Sequence, residues 1–221
     1  MKVPHRGGER PRPRAGRTAA QTRWLARQLA DPYVALARRR GFRARSVFKL
    51  EEIDRRHRLL RRGLRVLDLG AAPGSWSQYA QQKGCRVVAC DLLPITPLPG
   101  IEFVQGDFTA PEVEAALLER LGGPADVLLS DVAPNATGVR DLDRLRSEAV
   151  AEAVLDLAER ALAPGGACLI KLLKGAEAAI LPRVRERFAG YRLLRPKATR
   201  AESSELYLLA TGFRGGLAAP G

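Results

Sequence analysis

Four aspartates lie at or near the ends of hydrophobic stretches that are typical of β-strands. They are Asp68, Asp91, Asp107 and Asp131, of which Asp68 lies within its stretch, ahead of two glycines. The carboxyl ends of parallel strands meet at one edge of a sheet, and carboxylates gathered there repel phosphates and attract cations. Each aspartate alone could be a loop or N-cap residue. Four at strand ends favour a site for a cationic, phosphate-free ligand, and S-adenosylmethionine, with its sulfonium, ammonium and ribose hydroxyls, is such a ligand.

The loop after the first of these stretches supports this interpretation. It reads G-A-A-P-G-S-W from Gly70 to Trp76 and joins a predicted strand to a predicted helix, as in the first unit of a nucleotide-binding α/β sheet. Glycine lets a ligand approach the backbone, so a cofactor is expected over Gly70 and Gly74. A dinucleotide fingerprint would offer backbone N–H groups to a pyrophosphate, whereas Pro73 has none, which argues against a nicotinamide dehydrogenase. Asp91 follows by about 20 residues, the spacing at which an acidic residue binds ribose hydroxyls.

Two lysines lie in apolar surroundings. Lys171 is in the predicted strand "ACLIKLL", where an unpaired charge is costly unless a carboxylate meets it or its pKa falls. Lys49 lies on a helix predicted from Val47 to about Arg58, with Ser46 as its N-cap. Its place at the border of the apolar stripe leaves two interpretations: the side chain reaches the surface along the stripe, or it points into a site.

Strands and helices alternate through the first five strands, which predicts a parallel, doubly wound sheet with helices on both faces. A long helix is expected to end at Pro164-Gly165-Gly166, and a later one covers "ILPRVRERFAGY". The last two strands, "RLLRPKA" and a strand beginning at Glu205, are expected to form an antiparallel edge. The prediction is a seven-stranded, mostly parallel sheet with one antiparallel strand.

Positive charge is concentrated at the start of the chain. Residues 1–45 hold 13 Lys and Arg against Glu9 and Asp31, and so carry most of the formal net charge of +13. Residues 1–21, rich in Arg, Pro and Gly, are expected to form a disordered arm that binds a polyanion, most often nucleic acid, although a solubilising tail is the alternative. No apolar run reaches the roughly 20 residues of a membrane span. Three cysteines without C-x-x-C spacing indicate buried thiols and a cytoplasmic protein.

A set of motifs over residues 22–214 resembles the FtsJ-type ribose 2′-O-methyltransferases, and among these the bacterial members that modify large-subunit (23S) ribosomal RNA. The motifs are "RSVFKLEEI", "DLGAAPGSWSQY", "ACDLLP", "QGDF", "SDVAPN", "LAPGG", "IKLL" and "SELYLLATG". The resemblance implies one Rossmann-like, class I S-adenosylmethionine-dependent methyltransferase domain. Its helical segment 22–62 would face RNA, and residues 215–221 would form a flexible tail.

The resemblance also implies roles for individual residues. The catalytic residues would be Lys49, Asp131, Lys171 and Glu205. The cofactor contacts would be Gly74, Trp76, Asp91, Asp107 and Asp131, with Gly70 added by its place in the loop. Phosphate contacts are expected from Arg38, Arg39, Arg40, Arg43 and Arg45, and no metal is expected.

The expected substrate is the ribose of a uridine in ribosomal RNA of the large (50S) subunit. Its methylation is expected late in maturation of the subunit. The protein is expected to be a monomer without a stable protein partner. Two alternatives stay open: methylation of transfer RNA or another RNA, and a non-catalytic RNA-binding factor in ribosome assembly.

Overall fold

The computed structural model describes residues 31–134 and 136–215 of the chain. The predicted basic arm 1–21, the first part of the predicted RNA-facing segment, 22–30, and the tail from residue 216 onward lie outside the described residues. The described ranges include every residue predicted to be catalytic or to contact the cofactor.

The described residues form one seven-stranded sheet in the order β3-β2-β1-β4-β5-β7-β6. The strands are β1 Arg65–Leu69, β2 Arg86–Asp91, β3 Ile101–Gln105, β4 Ala125–Ser130, β5 Leu162–Leu173, β6 Phe188–Leu194 and β7 Glu205–Phe213. The first five strands are parallel, and β7 runs antiparallel to both neighbours. The predicted fold class is therefore confirmed. Strand order reverses between β1 and β4, and ligands of such sheets bind at the carboxyl ends of the strands at this point.

Helices cover both faces of the sheet. They are α1 Pro32–Arg39, α2 Val47–His57, α3 Ser75–Gln82, α4 Pro111–Leu121, α5 Arg140–Ala161 and α6 Glu177–Arg187. Buried side chains of α4, α5 and α6 form one hydrophobic cluster with one face of the sheet, and those of α1, α2 and α3 form a second cluster with the other. Because alternate residues of a strand point to opposite faces, Val66 joins the second cluster while Leu67 joins the first.

Two predicted boundaries are wrong. The residues Pro164–Gly166, expected to end a helix, lie within β5, which begins at Leu162 and shifts register against β4 before Ala167. The helix expected to include "FAGY" ends at Arg187, and Phe188 begins β6. The Phe188 ring is buried 5.3 Å from that of Phe213, to which it is also paired across the sheet. Tertiary packing therefore overrides the local helical pattern.

Candidate active site

A cavity of about 630 Å³ opens at the carboxyl ends of β1, β2, β3 and β4. Four of the six predicted cofactor residues line it, namely Gly70, Asp91, Asp107 and Asp131. Most other lining residues are small or apolar and come from the loops after the strands and from α5. The cavity lies at the place where the sheet topology predicts a ligand.

Gly70 brings two of these loops into close contact. Its φ of 71° lies in the left-handed region, and a Cβ on it would lie 2.7 Å from the amide nitrogen of Val132. Its own N–H donates to the carbonyl of Cys90 at 2.9 Å. Any larger residue would push the segment after β4 away from the loop after β1, so glycine is required to close the floor of the cavity.

The two aspartates at the β2 and β3 ends are held by short local hydrogen bonds. Asp91 accepts from the backbone N–H of Ala72 and of Leu93, both at 2.8 Å. One oxygen of Asp107 accepts from the backbone N–H and the hydroxyl of Thr109, at 2.9 and 2.8 Å. Each carboxylate oxygen has further lone pairs. The cavity is therefore bordered by fixed acceptors suited to hydroxyl and amine groups.

Asp68, the fourth aspartate of the predicted rim, is instead buried beneath the site. Its side chain accepts a hydrogen bond from the Ser77 hydroxyl on α3, and its second oxygen has no partner among the described residues. Burial raises the pKa of Asp68 to about 7, helped by the charges of Asp131 and Asp91 and opposed by Ser77. Asp68 therefore ties β1 to the first turn of α3 and does not line the cavity.

Lys171 and Asp131 form an ion pair at the edge of the cavity. The Nζ of Lys171 lies 3.1 Å from Oδ1 of Asp131 and also donates to the Asp131 backbone carbonyl. The Lys171 side chain is only 13% exposed. A carboxylate therefore meets the half-buried lysine of the fifth strand, which offsets the cost of partly removing its charge from water.

Lys49 and Glu205 form a second, neighbouring ion pair. Lys49 projects from α2 to the carboxylate of Glu205 at the start of β7, and its side chain is 12% exposed. Of the two interpretations of Lys49, the structure supports the one in which it points inward. The four residues predicted to be catalytic are thus brought together as two ion pairs, although they are far apart in sequence.

Tyr207 connects the two pairs, and sequence reasoning missed it. Its hydroxyl donates to Oδ1 of Asp131 at 2.8 Å, and Nζ of Lys49 lies 5.7 Å from the centre of its ring. Burial and the nearby Asp131 and Glu205 carboxylates raise its pKa well above the ordinary value. Tyr207 pairs with Lys171 across β5 and β7. Its position two residues after Glu205 in a strand was a signal, because such residues share a face.

Trp76 and Gly74 do not line the cavity. The Trp76 indole is buried, packs at a tilt with its ring centre 5.7 Å from that of Tyr207, and donates from Nε1 to the Ser46 carbonyl at 2.9 Å. Ser46 is the N-cap residue of α2, as predicted, but its hydroxyl pairs with that of Ser75 at 2.9 Å and makes no cap bond to the helix. Gly74, with φ 105°, is the N-cap of α3.

Three of the five arginines predicted to contact RNA are engaged within the protein. Arg40 makes two hydrogen bonds to Glu51, at 2.7 and 3.0 Å. Arg43 donates to backbone carbonyls in the cofactor loop and in the segment 96–97. Arg45 pairs with Asp31 at 3.1 Å and donates to a carbonyl of the β6–β7 loop. Arg38 and Arg39 are exposed on α1. The number of arginines in a segment therefore does not show which of them bind a ligand and which stabilise the fold.

Other features of the described residues agree with a compact α/β domain. All three cysteines are buried and unpaired with one another, as the sequence indicated. No helix in the described ranges is long and apolar enough to span a membrane. Among these same residues no cluster of His, Cys, Asp and Glu has the grouping needed to hold a metal ion.

The sheet order, the acidic cavity and the lysine pairs define a class of protein. Residues 42–213 match the FtsJ-like methyltransferase family, and the chain belongs to that family. Its relatives include Ribosomal RNA large subunit methyltransferase E of Gluconobacter oxydans, which is 50% identical over 90% of this chain and 75% of the relative. The protein of the same name from Acidiphilium cryptum is 52% identical, over 87% of this chain and 86% of the relative.

A solved structure shows the same fold. A Plasmodium falciparum protein named as a ribosomal RNA methyltransferase superposes with a TM-score of 0.71 at 25% identity. The match covers 79% of this chain and 100% of that chain. The overall fold of this chain is therefore shared with a protein only a quarter identical in sequence.

Proposed function

We propose that this protein transfers a methyl group from S-adenosylmethionine to the ribose 2′-hydroxyl of a uridine in 23S ribosomal RNA, late in maturation of the 50S subunit. The observation that carries the proposal is the inward-facing Lys171–Asp131 pair at the edge of an acidic cavity. The names of the relatives support ribosomal RNA as the substrate. We further propose that the protein acts as a cytoplasmic monomer.

The cavity fits the proposed methyl donor. Its volume of about 630 Å³ lies within the range of sites for small molecules. Asp91 would accept from the ribose hydroxyls and Asp107 from the adenine amine, since both carboxylates are held at the ends of adjacent strands. Gly74 and Trp76 would act through the backbone, because the N-terminus of α3 attracts a carboxylate such as that of the methionine part.

When bound, this cofactor would supply a methyl group activated by a sulfonium for in-line attack by a hydroxyl oxygen. A ribose hydroxyl is a poor nucleophile at neutral pH, so a base beside it accelerates attack. Lys171 is the candidate base and must be neutral before it can accept the hydroxyl proton. Asp131 holds its nitrogen through both a carboxylate oxygen and a carbonyl. Positioning of the two reactants in such a site can contribute roughly 7–11 kcal/mol.

The remaining members of the group act on Lys171 and Asp131 indirectly. Tyr207 donates to the same Asp131 oxygen that faces Lys171, which fixes the carboxylate. The Lys49–Glu205 pair adds a second cation near the site, with Nζ of Lys49 5.7 Å from the centre of the Tyr207 ring. A protein that only bound RNA would not need two half-buried ion pairs beside a cofactor cavity, and this favours an enzyme over a non-catalytic assembly factor.

We propose that RNA phosphates bind the face formed by segment 22–62, including Arg38 and Arg39. Both side chains are exposed on α1, whereas the three arginines that follow are engaged by carboxylates or carbonyls of the protein itself. Transfer RNA or another RNA would be recognised by the same charges, so the identity of the substrate depends on mapping the modification.

The experiment is mass-spectrometric mapping of ribose methylation in ribosomal RNA from cells lacking the gene. Wild-type protein should restore one 2′-O-methyl group in 23S RNA, whereas Lys171→Ala should restore none while still binding S-adenosylhomocysteine in calorimetry. Lys197→Ala, which removes an exposed lysine of the β6–β7 loop, is the matched control and should behave as wild type. Full methylation by Lys171→Ala would exclude Lys171 as the base. The proposed function would be overturned if no 2′-O-methyl group in ribosomal RNA depended on the presence of the wild-type protein.

A further inference from the structure

A second, smaller cavity adjoins the first. It has a volume of about 180 Å³ and shares Val132, Ala133 and Pro134 with the large cavity, so a single segment separates the two. Lys171 lines the small cavity, whereas Asp131 lines the large one. The Lys171–Asp131 pair therefore lies at the boundary between them. A group bound in the small cavity would lie next to the amine that we propose as the base.

The walls of the small cavity are mostly aliphatic. Leu172 and Leu173 of β5 form one side, and the segment after β4 forms another. The third side is α5, which contributes Asp143 and Ser147. Asp143 accepts from the backbone N–H of Thr137 and Gly138, so its charge orders the turn before α5. Apolar walls of this kind suit the faces of a flat, weakly polar ring.

Ser147 supplies a hydroxyl to this apolar space. Its Oγ accepts from the backbone N–H of Leu173 at 3.0 Å, and the residue is buried. A serine hydroxyl that accepts in this way still carries its own proton. It can therefore donate to a carbonyl oxygen of a bound ring. The cavity thus combines aliphatic faces, one hydroxyl donor and an adjacent lysine.

We propose that the small cavity binds the base of the nucleotide whose ribose is methylated, and that it selects pyrimidines. This inference rests on the proposed function. Enzymes that do chemistry on a base take it out of its stack into a fitted pocket, and the base of a nucleotide whose ribose reacts would be held here in the same way. A base held between the aliphatic walls would place its ribose at the mouth of the cavity, beside Lys171. A volume of about 180 Å³ is well below that of sites for whole small molecules, which suits one ring better than two.

The surface next to the cavity also fits RNA. Leu142 and Leu145, on the same part of α5 as Asp143, are 41% and 52% exposed. Arg140 at the start of α5 is exposed as well. Apolar side chains beside a cation offer contacts to unstacked bases and to phosphates of the flanking nucleotides.

The test uses the full-length protein and cells lacking the gene that carry plasmid-encoded 23S RNA. The nucleotide found by mapping is changed to each of the four bases, and its 2′-O-methylation is measured. We expect uridine and cytidine to be methylated to similar extents, and adenosine and guanosine to no more than about a tenth of that level. Leu173→Ala, which enlarges the cavity, should raise methylation of the purines. Equal methylation of all four bases by wild-type protein would overturn the inference.

A second measurement tests the cavity itself. Ala136→Leu adds bulk at an exposed lining residue, so it should fold normally and bind S-adenosylhomocysteine with a dissociation constant within about twofold of wild type. We expect its kcat/KM on undermethylated large subunits to fall at least about a hundredfold. Ala178→Leu, at an exposed residue of α6 that lines neither cavity, is the matched control. A normal kcat/KM for Ala136→Leu would refute the base subsite alone. If the wild-type protein methylated no ribose in large subunits, both the base subsite and the proposed function would be refuted.

Discussion

The free energy of unfolding is expected to fall as pH rises because of Asp68, and replacing Asp68 with asparagine should remove most of that fall. Burial raises the Asp68 pKa from its ordinary value of 3.8 to about 7, so the folded protein holds this proton over a pH range where the unfolded chain has released it. In that range the free energy of unfolding falls as pH rises. The slope of about 1.4 kcal/mol per pH unit applies only up to the folded pKa of about 7, so the loss between pH 5 and pH 8 builds up over about two units and is about 3 kcal/mol.

The assay is urea unfolding of wild type and Asp68→Asn at several pH values. Asparagine keeps the shape of the side chain and an acceptor for the Ser77 hydroxyl, and it does not titrate. Burial and two nearby arginines lower the pKa of His57, but this histidine is present in both proteins, so subtracting the two curves removes its contribution. The difference in unfolding free energy, wild type minus variant, should fall by about 3 kcal/mol from pH 5 to pH 8. A difference that stays constant would refute the account of Asp68.

Three further predictions concern the site. Gly70→Ala should destabilise the protein by at least about 1–2 kcal/mol in urea unfolding and weaken S-adenosylhomocysteine binding in calorimetry, because φ is 71° and the new methyl meets backbone at 2.7 Å. Wild-type values for both would contradict it. Tyr207→Phe removes a hydrogen bond to Asp131 and should lower kcat about ten- to a hundredfold with little change in cofactor affinity; an unchanged kcat would show that this bond is dispensable. Arg43→Ala should lower stability without changing the slope of log RNA affinity against log salt, whereas Arg39→Ala should reduce that slope by about 1. The reverse result would mean that Arg43 contacts phosphate.

Much of the fold could be predicted because its signals are local. Apolar stretches separated by helical patterns specify parallel strands, and the handedness of their connections leaves few topologies. The carboxyl ends of parallel strands share one edge, so Asp91, Asp107 and Asp131 were expected to meet. The start of β5 was missed because pairing with Ala125, at the beginning of β4, makes Leu162 part of the strand although Pro164 follows it.

Contacts between side chains from distant segments could not be predicted in the same way. Trp76 follows the cofactor loop, yet its indole packs into the core and its Nε1 binds the Ser46 carbonyl just before α2. Arg43 is one cation among many in the sequence, and only the folded chain places it against three backbone carbonyls. A sequence shows which side chains could bind a ligand, whereas packing decides which of them already bind other parts of the protein.

The sequence by itself determined the class of sheet, its acidic edge, and the presence in a strand of a lysine that needs a partner. Strand period, glycine positions and the cost of burying a charge are properties of short segments, so a sequence can reveal them. Only the tertiary structure decided that Lys171 meets Asp131, that Lys49 turns inward to Glu205, and that Tyr207 lies between them. These contacts join α2, β5, β7 and the end of β4, and their geometry depends on how the antiparallel β7 lies beside β5. That arrangement is a property of the whole sheet and cannot be predicted from any one segment.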